Sequence, residues 1–324
     1  MGKIDLSNYN VRTDLVIEDN KLIHNEENID GIIVNTTFKD GNYITISFED
    51  ITDSDNLNKV KSIVSSNIKK ILELNNIAED AMCLVIGLGN VLSTPDSLGV
   101  KVLDDVIVTE HLYKLKTISD GMRRVCCFSP GVMGNTGIES SNIILSLIKE
   151  IKPDFVIAID ALAARNIDKI NKTIQITDTG IHPGSGIGNN RLEISKKTMN
   201  IPVIGIGVPT VVMSSVIVYD TIDYLYKHIS YIKEYEGINK LSYNRFNYKN
   251  KIKDRVLTDS DKTNLLGLFG GLNEKEQRSL INEVLNNTEL NLIVTPTEID
   301  FLINKLSKLI AYSINEALHR QITY

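Results

Sequence analysis

The chain has 324 residues, of which 42% are hydrophobic and 23% charged, and its formal net charge at pH 7 is −6. A chain of this length and composition can bury a large core without disulfide bonds. The negative charge argues against direct nucleic-acid binding, which needs clustered Lys and Arg to neutralise phosphates. Because the three cysteines, Cys83, Cys126 and Cys127, are odd in number and lie in apolar segments, we expect buried, unreactive thiols.

The sequence also lacks the features of membrane proteins and zinc proteins. No apolar run is long enough to span a bilayer, and the first five residues lack the apolar centre of a signal peptide. No HExxH or CxxC motif occurs, and the five histidines are scattered along the chain. We therefore expect a cytoplasmic protein that works without a membrane, a metal ion or another cofactor.

The pattern of residues 15–80 predicts an N-terminal segment with a small β appendage and one helix. Residues 15–51 mix turns with short alternating segments, for example at residues 43–48. Across residues 55–74, apolar side chains recur at every third or fourth position, which is typical of an amphipathic helix.

Residues 81–230 alternate between apolar, strand-like runs and helical patterns. Strands are predicted at residues 82–86, 125–128, 155–159 and 203–206, and helices at residues 98–113 and 140–151. Such alternation indicates an α/β catalytic core, in which a mostly parallel sheet has helices on both faces, as in phosphorylase-like and hydrolase-like folds.

The last third of the chain predicts a linker followed by helices. Residues 231–261 are rich in Lys, Asn and Tyr and show little periodicity, which is typical of a linker or a solvated excursion. Residues 262–324 have helical patterns that are interrupted at Gly270-Gly271 and at Pro296. We expect these C-terminal helices to pack on the α/β core.

Two aspartates follow predicted strands of this core. Asp96 comes shortly after the Gly87-Leu88-Gly89-Asn90 turn, and Asp160 directly follows the strand at residues 155–159. Either one alone is explained as readily by helix capping as by catalysis. Ligands of open parallel sheets bind at the carboxyl ends of the strands, so we expect the two carboxylates to converge there. Two adjacent carboxylates can share a proton and activate water, which predicts an atypical aspartic protease.

Two glycine-rich loops are further candidates for binding. Gly131, Met133 and Gly134 lie in the first loop, residues 129–137, and His182 lies in the second, residues 180–189. Their backbone N–H groups could hold an extended peptide or an oxyanion, or the loops could only turn the chain. The incomplete Gly-x-Gly-x-Gly pattern of the second loop leaves open a phosphate- or nucleotide-binding, phosphorylase-like protein.

Asp178-Thr179-Gly180 matches the signature triplet of pepsin-like aspartic proteases. That triplet belongs to an all-β fold with two copies, whereas this chain has one copy inside an alternating α/β pattern. We therefore assign Asp178 to the structure of its loop rather than to catalysis.

On these motifs the chain resembles the germination (spore) protease family of spore-forming bacteria over nearly its whole length. The matching stretches are residues 11–15, 87–90 with 94–96, 130–134, 158–164, 173–189 and 207–212. The resemblance implies an endopeptidase of the forespore and spore core that initiates degradation of small acid-soluble, DNA-binding spore proteins during germination. It further implies a homotetramer without a cofactor, in which Asp96 and Asp160 are the catalytic residues.

The resemblance also implies a zymogen that cleaves itself between Asp14 and Leu15 and so releases residues 1–14 as a propeptide. Residues 13–18 around that bond, an acidic residue followed by apolar residues and Glu18, are similar to the family's substrate cleavage site. The chain departs from the family at Met213, where relatives are expected to carry an acidic residue.

The glycine turn and the strand-end aspartate are also similar to the hydrogenase maturation endopeptidases, in which the two carboxylates hold a nickel ion in the substrate. That family is shorter and lacks the motifs at residues 130–137 and 173–189 as they stand here. A nickel-dependent endopeptidase is therefore kept as the alternative enzyme. Gly89, Asn90, Asp178 and His182, with the loop residues named above, complete the candidates for substrate binding or loop structure.

Overall fold

The structure is a computed structural model, and it describes residues 23–183, 192–234, 251–320 and 322. The chain divides into two compact units, of which one contains Val11–Val211 and Thr295–Tyr324 and the other contains Val212–Val294. The predicted propeptide, residues 1–14, and residues 235–250 of the predicted linker lie outside the described residues. The domain boundaries predicted at residues 80, 230 and 261 stay predictions.

The described residues form a nine-stranded sheet with the order β1-β2-β3-β7-β8-β6-β4-β5, in which β9 also pairs with β8. The strands are β1 (Ile23–Ile29), β2 (Ile32–Phe38), β3 (Asn42–Ser47), β4 (Cys83–Gly87), β5 (Val125–Phe128), β6 (Phe155–Ala164), β7 (Thr173–Thr177), β8 (Val203–Met213) and β9 (Ile293–Val294).

The sheet is mixed. Strand β4 pairs in parallel with β5 on one side and with β6 on the other. At the start of β6, the backbone N–H of Val156 donates to the carbonyl of Pro202 over 2.9 Å, and further along Leu162 lies against Gly207, so β6 and β8 run in the same direction. The other neighbouring pairs, β1–β2, β2–β3, β3–β7 and β7–β8, are antiparallel.

The predicted α/β class is confirmed, with a smaller share of parallel pairs than predicted. The N-terminal segment, predicted as a small β appendage, forms a three-stranded antiparallel meander that extends the main sheet through β7. Strands β7 and β9 also pair antiparallel with β8. The first turn of the meander is Asp30-Gly31, in which both residues have positive φ, 51° and 88°, and such two-residue turns match the twist of a β-hairpin.

The larger unit contains the helices α1 (Ser54–Leu74), α2 (Leu98–Val102), α3 (Glu110–Lys114), α4 (Met133–Thr136), α5 (Ser140–Ile151), α6 (Lys196–Met199) and α10 (Ile299–Leu318). Short 3₁₀ turns lie at Thr94–Asp96, Leu103–Asp105 and Ile167–Lys169. The smaller unit contains α7 (Ser214–Glu234), α8 (Asp259–Leu266) and α9 (Glu274–Asn287), and a 3₁₀ turn at Gly267–Gly271. Among the described helices, none is both long and apolar enough to cross a membrane.

Helices cover both faces of the sheet, as predicted. Helices α1 and α10 contribute residues such as Val64 and Ile310 to the core on one face, which includes Ile157 of β6. Helix α5 packs Ile144 and Ile148 on the other face, which includes Val156 of β6. This alternation along β6 follows from the two-residue period of a strand, whose successive side chains point to opposite faces.

Local patterns predicted α1, β4, β5 and α5 at nearly their observed positions. Strands β6 and β8 continue well beyond their predicted ends, to Ala164 and Met213. Residues 231–234, at the start of the predicted linker, are the last residues of α7. The prediction of one helix at residues 98–113 is wrong, since this segment forms α2, a 3₁₀ turn and α3.

A side chain of α10 explains the break between α2 and α3. Asn315 donates from Nδ2 to the carbonyl of Asp105 and accepts at Oδ1 from the N–H of Ile107, both over 2.9 Å. Those backbone groups would be used within a continuous helix, and Val106 between them is extended, with φ −76° and ψ 131°. The tertiary contact therefore replaces the local helical bonds.

Candidate active site

The turn that follows β4 holds the backbone segments of both aspartates. The N–H of Leu88 donates to the carbonyl of Ile159, the residue before Asp160, over 2.9 Å. Two residues later, the N–H of Asn90 donates to the carbonyl of Asp96 over 3.0 Å. Residues 88–90 thus bring the segments that carry Asp96 and Asp160 to the same end of β4.

Two glycines make this close approach possible. Gly89 has φ +112°, and a Cβ added to it would lie 1.9 Å from the carbonyl oxygen of Asp96. A Cβ on Gly99, in the first turn of α2, would lie 2.4 Å from the carbonyl oxygen of Ile159. Any side chain at either position would push the Asp96 segment away from the strand ends.

Asp160 lies inside β6 and not at its end, which corrects the sequence prediction. Strand β4 ends at Gly87, opposite Ile159, so Asp160 is the first residue of β6 beyond the end of its neighbour. Its side chain is buried, and its Oδ1 accepts a hydrogen bond from the N–H of Ala161 over 2.9 Å. The carboxylate is therefore held on rigid, central backbone where the sheet narrows.

Asp96 is half-buried and ends the 3₁₀ turn Thr94–Asp96. Its N–H donates to the carbonyl of Ser93 over 2.9 Å, and the hydroxyl of Thr210 on β8 donates to the carbonyl of Pro95 over 2.7 Å. Both peptide groups on either side of the Asp96 Cα are thus hydrogen-bonded, which fixes the point from which its carboxylate projects.

The loop with Gly131, Met133 and Gly134 lies beside the turn after β4. Asn135 Nδ2 contacts Asn90 Oδ1 at 3.5 Å, and the same oxygen accepts from the N–H of Leu92 over 3.0 Å. Met133 is 48% exposed. Helix α4, which contains Met133 and Gly134, therefore gives the site an open, partly apolar edge.

The Asp178 carboxylate has structural hydrogen-bond partners outside the turn after β4. It accepts hydrogen bonds from both the backbone and the side chain of Asn42, and from the side chain of Asn75. His182 Nε2 lies 3.4 Å from Glu193 Oε2, and the His182 side chain is 61% exposed. Residues 184–191, which include most of the second glycine-rich loop, lie outside the described part of the chain, as do Asp14 and Leu15.

The cysteines do not offer a nucleophile. Burial raises the pKa of Cys126 to about 11 and that of Cys127 to about 12, and it raises the pKa of Cys83 well above its usual value. The thiols are therefore protonated at neutral pH and only weakly nucleophilic. Over the described ranges, no group of three or more His, Cys, Asp or Glu residues is arranged to hold a metal ion.

Sequence reasoning missed three residues that shape this site: Gly99, Asn135 and Thr210. A glycine in the first turn of a predicted helix, as at Gly99, was a usable signal, because glycine is unfavourable in helices unless close packing requires it. Asn135 and Thr210 had no local signal, since their partners, Asn90 and Pro95, are distant in sequence.

Two carboxylate segments at the end of a buried strand, beside an open loop, form an arrangement that can activate water against an extended peptide. Asp160 is buried and Asp96 is half-buried, so the two carboxyl groups lie in different environments.

Comparisons with known proteins agree with these motifs. Germination proteases of Bacillus mycoides (strain KBAB4) and Bacillus cereus (strain ATCC 10987 / NRS 248) are each 42% identical to this chain over an alignment 355 positions long, which covers 98% of this chain and 96% of each relative. A crystal structure of the [NiFe] hydrogenase maturation protease HycI from Thermococcus kodakarensis KOD1 matches 44% of this chain and 80% of its own, with 17% identity and a TM-score of 0.29. The family model for germination proteases matches residues 15–324. The chain belongs to the germination protease family and is a peptidase.

Proposed function

We propose that this peptidase hydrolyses its substrate with Asp96 and Asp160 acting as an aspartate pair. The observation that carries the proposal is the turn at residues 88–90, which donates one hydrogen bond to the carbonyl before Asp160 and another to the carbonyl of Asp96. Gly89 and Gly99 have the backbone contacts that such an approach requires.

In the proposed mechanism, the ionised carboxylate takes a proton from the attacking water. The other carboxyl, protonated, donates a hydrogen bond to the scissile carbonyl as this becomes tetrahedral, and a proton then passes to the leaving amine. No cofactor takes part in these steps.

We further propose that the chain is made as a zymogen that cleaves itself between Asp14 and Leu15. Two observations support this. The family match begins at residue 15, directly after the proposed bond. The residues that flank the bond, an acidic Asp14 followed by Leu15 and further apolar residues, offer the enzyme a substrate-like sequence on its own chain.

The proposed substrates are the small acid-soluble, DNA-binding proteins of the spore, which the enzyme would begin to degrade at germination. Family membership supports this substrate class, a location in the forespore and spore core, and assembly as a homotetramer. Sedimentation equilibrium of the purified chain tests the tetramer directly, and a monomer across micromolar concentrations would contradict it.

The aspartate pair is tested with the full chain incubated at mildly acidic pH, with and without a chelator, while mass spectrometry reads its N-terminus. We expect a new N-terminus at Leu15 in the wild type and in Asp104→Asn, a matched control that removes an exposed carboxylate eight positions after Asp96 in the sequence. Asp96→Asn and Asp160→Asn should fold normally and produce no Leu15 terminus. Each should also lose at least about 10³-fold in cleavage of a purified small acid-soluble spore protein, because the reacting water loses its base or acid.

Each result has a definite meaning. Activity near wild type in either Asn variant would remove the aspartate pair from the mechanism. Cleavage that the chelator abolishes would instead favour a metal-dependent peptidase, such as the nickel-dependent alternative. Cleavage of the spore protein without any new terminus at Leu15 would retain the peptidase and exclude the zymogen.

A further inference from the structure

Thr210 is a buried residue of β8, 1% exposed, whose side chain reaches out of the strand to the Asp96 segment. Its hydroxyl donates to the carbonyl oxygen of Pro95 over 2.7 Å, across 115 positions of sequence. The backbone of Thr210 is held in turn, because Thr295 Oγ1 donates to the Thr210 carbonyl over 2.9 Å. The hydroxyl therefore projects from a fixed position.

The hydrogen bond from Thr210 acts on the peptide group directly before the Asp96 Cα. The Pro95 carbonyl and the Asp96 N–H belong to the same peptide group, and that N–H is bonded to Ser93 within the loop. On the other side of the Asp96 Cα, the Asp96 carbonyl accepts from Asn90. Three hydrogen bonds thus hold the backbone around Asp96. Two of them come from its own loop, and the third comes from Thr210 in the sheet.

The strand that supplies this hydrogen bond lies next to the strand that carries Asp160. Strands β8 and β6 are neighbours in the sheet and run in the same direction. A hydrogen bond from β8 to the Asp96 peptide therefore sets the distance between Asp96 and the β6 backbone. On the β4 side, the bond from Leu88 to Ile159 joins the turn to β6, and the bond from Asn90 to Asp96 joins the same turn to the Asp96 segment.

We propose that Thr210 is a positioning residue for the aspartate pair, which holds the Asp96 peptide in register with β6 so that the two carboxylates act on one water molecule. The proposal rests on the proposed function of Asp96 and Asp160. Thr210 itself touches the Pro95 carbonyl and acts through it. Errors of about 1 Å in the placement of a reacting group can cost about 100-fold in rate, so one hydroxyl at this point is enough to affect kcat.

The test compares Thr210→Val, which keeps the shape of the side chain but removes the hydroxyl, with Thr210→Ser, which keeps the hydroxyl. Each full chain is incubated at acidic pH, and its N-terminus is read. The kcat and KM for a small acid-soluble spore protein are then compared between variants for molecules that carry the same N-terminus. We expect Thr210→Val to lower kcat about 10- to 100-fold, with KM within about 2-fold, and Thr210→Ser to restore most of kcat. The pH profile of kcat should also move in Thr210→Val, because the coupling between two carboxyls depends on their separation.

Thr109→Val is the matched control. Thr109 is also a buried threonine, and its hydroxyl bonds to the carbonyl of Arg123 and to the N–H of Val125, at the start of β5 and away from Asp96. It should lose stability without a change in kcat or in the pH profile of the folded protein. An unchanged kcat in Thr210→Val, or an equal loss in Thr109→Val, would overturn the positioning role while leaving the aspartate pair intact. Wild-type activity in Asp96→Asn would instead overturn the proposed function itself.

Discussion

Asn42 donates two hydrogen bonds to Asp178, from its backbone N–H to Oδ1 over 2.8 Å and from Nδ2 to Oδ2 over 2.7 Å. Asn75, at the end of α1, donates to the same Oδ2 over 3.2 Å. The carboxylate therefore joins the end of β7 to the start of β3 and to α1. These hydrogen bonds give Asp178 of the Asp178-Thr179-Gly180 triplet a structural role.

Asp178→Asn is accordingly expected to lower stability more than activity. The amide keeps one acceptor oxygen but turns an NH2 group toward a side-chain donor, and hydrogen bonds to charged groups contribute about 1.5–3 kcal/mol. Urea unfolding should show a loss of about 1–3 kcal/mol, while kcat per folded molecule stays within a few-fold of wild type. Complete loss of cleavage in a variant with a native circular dichroism spectrum would return Asp178 to the list of catalytic residues.

Gly89→Ala is expected to abolish activity. Its φ of +112° is strained for any L side chain, and the new Cβ would meet the carbonyl oxygen of Asp96 at 1.9 Å. The Asp96 segment must then move, and cleavage of the spore protein should fall at least about 100-fold.

Gly134→Ala controls for the loss of a loop glycine near the site. Gly134 lies in α4, and a Cβ there would meet nothing within 4 Å. Alanine is preferred over glycine in helices by about 1 kcal/mol, so this variant should be as stable as wild type or slightly more stable. It also keeps the backbone N–H that the loop offers to a substrate, so its activity should stay within a few-fold of wild type. Equal losses in the two variants would mean that the contact between Gly89 and Asp96 is not what matters.

Where local periodicity decides an element, the sequence was sufficient. Strand β5 and helix α5 have the predicted bounds because their apolar spacing is uninterrupted. Strand β7 was missed because its alternate residues, Thr173, Gln175 and Thr177, are polar although buried. Similarly, nothing near residue 106 indicates that Asn315 interrupts the helix there.

The residues of the candidate site also divide into those that the sequence predicted and those that it did not. Asp96 and Asp160 were found from the strands that precede them, whereas Asp160 proved to lie within a strand because β6 outlasts its neighbour β4. Thr210 could not be found, since only the folded chain brings β8 to Pro95. Sequence patterns name the chemistry-bearing residues, while their positioning partners depend on long-range pairing.

Thr45→Val is expected to raise stability. Thr45 lies on β3 and is 4% exposed, and its hydroxyl is one of the buried polar groups that have no hydrogen-bond partner in the described part of the chain. A buried hydroxyl without a partner costs about 1–3 kcal/mol, and valine fits the same space without that cost. Urea unfolding should show a gain of about 1 kcal/mol.

The same substitution at Thr109 should have the opposite sign. There the hydroxyl accepts from the N–H of Val125 over 2.8 Å and donates to the carbonyl of Arg123 over 2.5 Å. Valine leaves both backbone groups without this partner, so we expect a loss of about 1–3 kcal/mol. If both substitutions were destabilising, the Thr45 hydroxyl would have to be bound by a water molecule.

Stability is expected to fall with pH below about 6.5 because of His319, which is 1% exposed. Burial lowers the pKa of His319, and the nearby charge of Arg123 lowers it further. In the unfolded chain His319 takes up a proton near its usual pKa of 6.5, whereas in the folded chain it stays neutral to lower pH. Its contribution to stability is therefore complete above pH 6.5 and is lost progressively as the pH falls toward the lowered pKa.

His319→Asn tests this without removing the local hydrogen bond, because the asparagine Oδ1 can accept from the N–H of Arg123 as the histidine Nδ1 does over 3.2 Å. The free energy of unfolding, measured by urea at several pH values, should lose its slope between pH 6.5 and 4.5 in this variant and keep it in His111→Asn, where the histidine is exposed. The window also separates His319 from Glu110, whose pKa is held below 4.5 by hydrogen bonds from Arg124, so that its contribution is lost only at still lower pH. A slope that persists unchanged in His319→Asn would assign the acid sensitivity to other groups.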